Sequence, residues 1–182
     1  MAEIFPGRYT ADVEGDFVVF LIGMRVNKPW KLKKVAFMLG TMPKLLKELD
    51  GDPSLGCLSS RQVLHSPVSP VVMQIWRSFE ELEAYSAAQT HKQLWQRFFE
   101  LVKLDGDIGI WHETYRVRAG EYECIYGNMP RFGLAVAGEH RGLGSASRAS
   151  TRLDADSSSG ANARAVKKSS RCHSRQPRYC TR

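Results

Sequence analysis

An α+β fold with the element order β-α-β-β-α-β is predicted by three features of the chain. Residues 16–26 and 71–76 are apolar on both faces, as central strands are. Residues 57–65 and 108–117 have the length and composition of further strands. Helical spacing fills residues 32–49 and 79–102, the two intervals that separate these strands. The 182 residues suffice for one domain with a real core.

Taken in order, residues 1–15 read as an irregular arm with a short strand at 7–11. The strand at 16–26 ends where Pro29 removes a ladder donor. In the helical region that follows, Gly40 suits a C-terminal cap and Pro43 a first turn, so a break is expected near 40–42. Gly51-Asp52-Pro53 is turn chemistry, and residues 66–70, with two prolines, read as a loop. After the strand 71–76, Ser78 followed by Glu81 forms a capping box that starts a helix. The apolar stripe breaks at 86–89, and Thr90 with Gln93 marks a second capped helix whose face carries Leu94, Trp95, Phe98, Leu101 and Val102. Beyond the strand 108–117, Ala119-Gly120 turns the chain. Residues 121–126 are expected to pair back on that strand, and 128–134 to form a loop.

The order is the ferredoxin-like arrangement: an antiparallel sheet with both helices on one face. The other face is too apolar to stay wet. A second copy packed against it, giving a dimeric α+β barrel, is the expected solution, so the chain is read as a homodimer.

Net charge is +7, yet residues 1–138 carry 16 Lys+Arg against 16 Asp+Glu, and residues 139–182 carry 10 against 3. The basic balance belongs to the tail, which argues against a specific nucleic-acid partner for the domain. Residues 139–182 hold one aromatic residue, too little to offset chain entropy, and are read as a disordered basic tail. Cys57, Cys124, Cys172 and Cys180 make no C-x-x-C pair. No 18-residue apolar run suggests a membrane span, and a cytoplasmic protein is expected. No zincin, Walker or nucleophile-elbow motif is present, so no metal site is expected.

Residues 76–85, Trp76-Arg77-Ser78-Phe79-Glu80-Glu81-Leu82-Glu83-Ala84-Tyr85, resemble the Trp-x-Ser-x-Glu-x-Leu-x-Ala-His/Tyr signature of antibiotic-biosynthesis monooxygenase-like proteins. Residues 17–30 (FVVFLIGMRVNKPW), 108–115 (IGIWHETY) and 126–134 (YGNMPRFGL) are similar to segments of a monooxygenase-like branch of that superfamily. The likeness covers most of residues 3–138 and stops near His140. It implies cofactor-independent oxygenation, in which an enolisable or aromatic small molecule loses a proton and its carbanion reduces O2. Such chemistry needs a dry pocket, a base and polar groups for the oxyanion.

Candidates exist for each role, and each has a structural reading beside it. An imidazole is the side chain suited to act as a base near neutral pH, which makes His112 a candidate; it shares a strand face with Ile108 and Ile110. Glu113, on the opposite face between Trp111 and Tyr115, is the rival acid–base, with those two aromatics as substrate contacts. Arg25, at the end of an apolar strand, must find an anion, either substrate or an acid such as Glu113. Trp76 is a candidate stacking surface or core, Arg77 an enolate partner or a solvated helix start, and Asn128 an oxyanion donor or a turn residue. Two other readings stay open. One is a haem-dependent enzyme of the same superfold, related to aldoxime dehydratases, with His112 as axial ligand. The other is a non-catalytic dimeric binding module for an apolar metabolite.

Overall fold

The computed structural model describes residues 2–103 and 105–143, together with 149, 150 and 153. Its centre is β2 (Phe17–Val26), flanked antiparallel by β4 (Ser69–Trp76) and β5 (Ile108–Val117), with β3 (Cys57–Ser66) beyond β4. The order β3-β4-β2-β5 is the ferredoxin-like sheet read from the sequence. Alternation along β2 sends Val18, Met24 and Val26 toward the helices and Phe17 and Val19 to the other face.

The helical layer is α1 (Leu32–Gly51), α2 (Phe79–Ala87) and α3 (Gln89–Val102). It builds two core clusters on the sheet. One joins Val18 and Trp76 to Leu49, Leu82 and Tyr85; the other joins Met24 and Ile108 to Phe98 and Val102. A ledge between them is left for a cavity. The expected break near residue 40 does not occur: α1 runs through both Gly40 and Pro43. Phe37 packs at its first half and Leu49, 3% exposed, at its second, and this burial at both ends outweighs the local propensities. The break between α2 and α3 is real, with Ala88 in extended geometry. Ser78 caps α2, its hydroxyl accepting the Glu81 N–H at 3.1 Å. The box is half made, because the Glu81 carboxylate turns to Arg77 instead, at 2.8 Å. Helix α3 starts at Gln89, with Ala88 at its cap, so Thr90 lies inside its first turn. Asp107, at the foot of β5, accepts both Lys28 and Lys34 at 2.7 Å, and Lys34 also bonds Asp105, clamping α1 to the α3–β5 turn. These two lysines hold the Asp107 carboxyl down at about 2.

The far face is partly covered by the chain itself. The arm forms β1 (Phe5–Asp12), which lies between β6 (Tyr126–Met129) and β7 (Glu139–Gly142) in a second sheet. The expected pairing of 121–126 with β5 is therefore replaced. Tyr122 draws the chain away: its hydroxyl accepts the Val13 N–H at 2.6 Å, and its ring meets Phe17 edge-on at 5.1 Å. The predicted loop 128–134 holds the end of β6 and leads into α4 (Leu134–Ala137). The loop expected at 66–70 shrinks to a two-residue turn, since β4 already begins at Ser69.

Order also extends past the expected boundary at Gly138. β7 pairs residue for residue with Tyr9 to Asp12, His140 stacks on Tyr9 at 4.6 Å, and Arg141 pairs with Asp12. Gly138 admits this approach, for a Cβ there would fall 2.1 Å from the Asp12 carbonyl oxygen. Composition misses such a strand because backbone bonds and one stacked ring hold it, not apolar mass. Most of the rest of the expected tail lies outside the described residues. Among the described residues no helix is long and apolar enough to cross a membrane.

Candidate functional site

Between the sheet and the helices lies a cavity of about 390 Å³. Phe20 and Ile22 of β2, with Val72 and Gln74 of β4, make its floor; Leu46, Leu49, Phe79, Leu82, Tyr85 and Trp95 make its roof. The β5 residues His112 and Thr114 line one side and are solvent-exposed, so the cavity opens along that edge strand. The walls are apolar with a few polar groups set into them, the usual make-up of a small-molecule site.

His112 belongs to this site and Glu113 does not. Strand alternation offered two faces, and the helices cover the one that carries His112. Its ring lies 5.8 Å from that of Phe20. Neither of its nitrogens has a hydrogen-bond partner within the protein among the described residues, so both are available to a guest.

A second histidine, His91, enters from the roof. Its Nδ1 lies 3.1 Å from the Ser86 carbonyl and its Nε2 3.2 Å from the Trp95 indole nitrogen. A carbonyl only accepts and an indole N–H only donates, so these partners fix the neutral tautomer with hydrogen on Nδ1. Burial pushes its pKa down, in keeping with that state. Both nitrogens are committed, which makes His91 a wall and not a base. Tyr85 packs on Trp76 and His91, and burial, with the Glu48 carboxylate nearby, raises its pKa.

Gln74 is the other polar group of the floor, 7% exposed. The Trp76 indole N–H donates to its Oε1 at 3.0 Å. This fixes the amide, with its NH2 free of protein partners among the described residues.

The other residues singled out in the sequence are not brought to the cavity. Trp76 is fully buried in the core and borders the site through Gln74 and Tyr85. Arg77 faces outward and pairs with Glu81. Glu113, Trp111 and Tyr115 stand on the opposite sheet face, where the Tyr115 hydroxyl donates to Glu113 at 2.5 Å and Trp111 lies flat over Gly23. Arg25 is on that face too, exposed, with its Nε on the Asn27 side-chain oxygen at 3.2 Å and not on Glu113. Asn128, with φ of 52°, sits in the second sheet and accepts the Gly7 N–H at 2.9 Å, a structural role. Sequence reading missed Gln74 and His91, and placed Trp95 on the apolar face of its helix without assigning it to a site. A lone amide in the apolar run 71–76 and the four-residue spacing of His91 and Trp95 on one helix were the available signals.

The profile of the Monooxygenase af470-like family matches residues 17–134, the span that contains the whole four-stranded sheet and its helices. The chain belongs to the Monooxygenase af470-like family. No curated protein matches it. Among solved structures, an aldoxime dehydratase in complex with butyraldoxime is similar at 18% identity and a TM-score of 0.56, covering 71% of this chain and 41% of that one. A second aldoxime dehydratase gives 19% identity and 0.55, covering 79% and 45%. This af470-like chain thus spans less than half the length of either. A Deinococcus radiodurans protein described as an antibiotic biosynthesis monooxygenase is 12% identical with a TM-score of 0.43, covering 54% of this chain and 89% of its own.

A haem, raised by the superfold, can be tested against the af470-like cavity's own imidazoles. A metal-binding histidine offers one nitrogen and anchors the other on an acceptor. His112 has free nitrogens but no anchor; His91 has the anchor, while Trp95 occupies its remaining nitrogen. Among the described residues neither imidazole combines an open nitrogen with an anchored one. Among the described residues no cluster of three or more His, Cys, Asp or Glu side chains is placed to hold a metal ion.

Proposed function

We propose that this af470-like protein is a monooxygenase that acts on a planar, enolisable or aromatic small molecule without metal, flavin or haem. The observation that carries the reading is His112, with free ring nitrogens, on the wall of an apolar cavity between sheet and helices. A guest lying on Phe20 and Ile22 would lose a C–H proton to His112. The remaining electron pair spreads into the conjugated system and its oxygen. O2 then takes electrons from this carbanion, and loss of water from the resulting hydroperoxide gives a carbonyl. One methylene group and one dioxygen molecule thus yield one carbonyl group and one water. The protein's share is to exclude bulk water, hold the ring plane and accept the proton.

Oxygen-electrode measurements with anthrone-like substrates test this. Uptake above the uncatalysed rate, together with a quinone-type product, is expected. A protein that binds such compounds yet consumes no oxygen is the binding module, and the enzyme reading is then wrong. Haemin titration separates the remaining alternative: no ligated Soret band is expected, and a stoichiometric band lost in His91→Ala or His112→Ala would overturn the cofactor-free reading.

The same proposal includes a homodimer. The part of the far sheet face left uncovered by the arm carries Leu21, Trp111 and Tyr115, with Glu113, Arg25 and Arg61 among them. A two-fold axis there would bury the apolar residues and set acid against arginine.

A further inference from the structure

We infer that Gln74 is the oxyanion donor of this cavity and that Trp76 is the residue that positions it. The inference rests on the cavity being the active site. An amide can present either its oxygen or its nitrogen to a guest. Here the choice is made by Trp76, whose indole N–H can only donate and holds Oε1 at 3.0 Å. The NH2 end is left to the cavity that Gln74 lines. At 7% exposure the group is shielded from water, where a hydrogen bond to a charged oxygen is strongest.

The register extends this to a ligand class. Gln74, Phe20 and Thr114 form one cross-strand row; Val72, Ile22 and His112 form the next. β4 and β5 lie on either side of β2 and the two rows are two residues apart along it, so the donor and the base spring from backbones about 12 Å apart. Atoms of one small carbonyl group cannot meet both. A fused-ring or extended conjugated ketone or phenol can, giving up its proton at one end while charge arrives on an oxygen at the other. Phe20, between the two, is the surface on which such a ring system lies.

Two probes that differ by one O-methyl group test the assignment: 4-nitrophenol, followed by the visible absorbance of its phenolate, and 4-nitroanisole, which cannot ionise. The full-length protein is expected to bind both, with the phenolate favoured. Gln74→Met should weaken phenolate binding about ten- to hundredfold, the worth of one hydrogen bond to a charged group, and leave the anisole unchanged. Trp76→Phe, which frees the amide to rotate, should shift the phenolate alone, in the same direction and by less. A loss of packing would move both probes together. Should Gln74→Met fail to fold because the Trp76 N–H has lost its acceptor, Gln74→Glu keeps that acceptor and should exclude phenolate while still binding anisole. Anisole binding with phenolate affinity untouched by these substitutions would overturn the role of Gln74 and leave the cavity reading standing. Binding of neither probe to the wild-type protein would overturn both.

Discussion

His112 carries the proposed chemistry with little structural duty. Its ring is exposed and meets that of Phe20. His112→Gln should therefore lower turnover about a hundredfold or more, as loss of a general base does, while stability stays within about 0.5 kcal/mol. Glu113→Gln, on the opposite face, should leave turnover unchanged. Steady-state rates and thermal melts of the two variants decide this, and the reverse pattern would move the site to the other side of the sheet. The sequence states that these neighbours point to opposite faces, because alternation has a period of two. Which face meets the helices depends on packing at a distance, and no local pattern encodes it. Trp76 is decided the same way: the sequence leaves it as a stacking surface or core, and its burial makes it core, holding Gln74 from behind.

At the scale of elements, what could be read was whatever is held locally. The strands β2, β3, β4 and β5 and the two-part helix α2–α3 follow from apolar period and capping chemistry. The Ser78 cap is the clearest case, and Ser78→Ala should cost about 1 kcal/mol. That corresponds to a melting point lower by roughly 2–4 °C in a chain of this size. An unchanged melt would mean that the Arg77–Glu81 pair, not the hydroxyl, starts α2. Elements held by distant partners were the ones misread. α1 continues through Pro43 because the sheet beneath it supplies the burial. β6 joins β1 because Tyr122 is anchored at Val13, and β7 exists because Gly138 lets it approach Asp12.

For the molecule as a whole, stability should fall as acid is added, in two stages. Burial holds His91 and His140 below the ordinary imidazole value of 6.5, and Arg131 adds to this at His140. The unfolded chain binds protons near pH 6.5 that the folded one refuses until lower pH, so stability is full above that point and declines below it. The second stage is Asp107, held at about 2 against an ordinary 3.8; its contribution to the clamp is present above pH 3.8 and lost as pH falls toward 2. Calorimetric melts from neutral pH downward should show both, and His140→Phe, which keeps the aromatic stack of β1 and β7, should flatten the first. A first stage untouched by both His140→Phe and His91→Gln would refute this assignment.

The uncovered sheet face bears on the same scale, since it decides how many copies assemble. Trp111 is 37% exposed and Tyr115 50%, and on one sheet face they flank Glu113, the cross-strand partner of Leu21. Aromatic side chains of that exposure on a sheet face are what an interface core contains. The arm already seals the Phe17 and Ile75 end of this face, so a partner has only the remainder to cover, and the mixed charges there fit a self-complementary contact. Sedimentation should give a dimer at micromolar concentration. The pair of substitutions Trp111→Arg and Tyr115→Arg should give a folded monomer, because like charges would then face each other across the axis. The cavity lies on the opposite side of the sheet and is built from one chain. The monomeric variant should thus retain binding of the neutral nitroanisole probe, and a variant that loses dimer and probe together would place the partner inside the site.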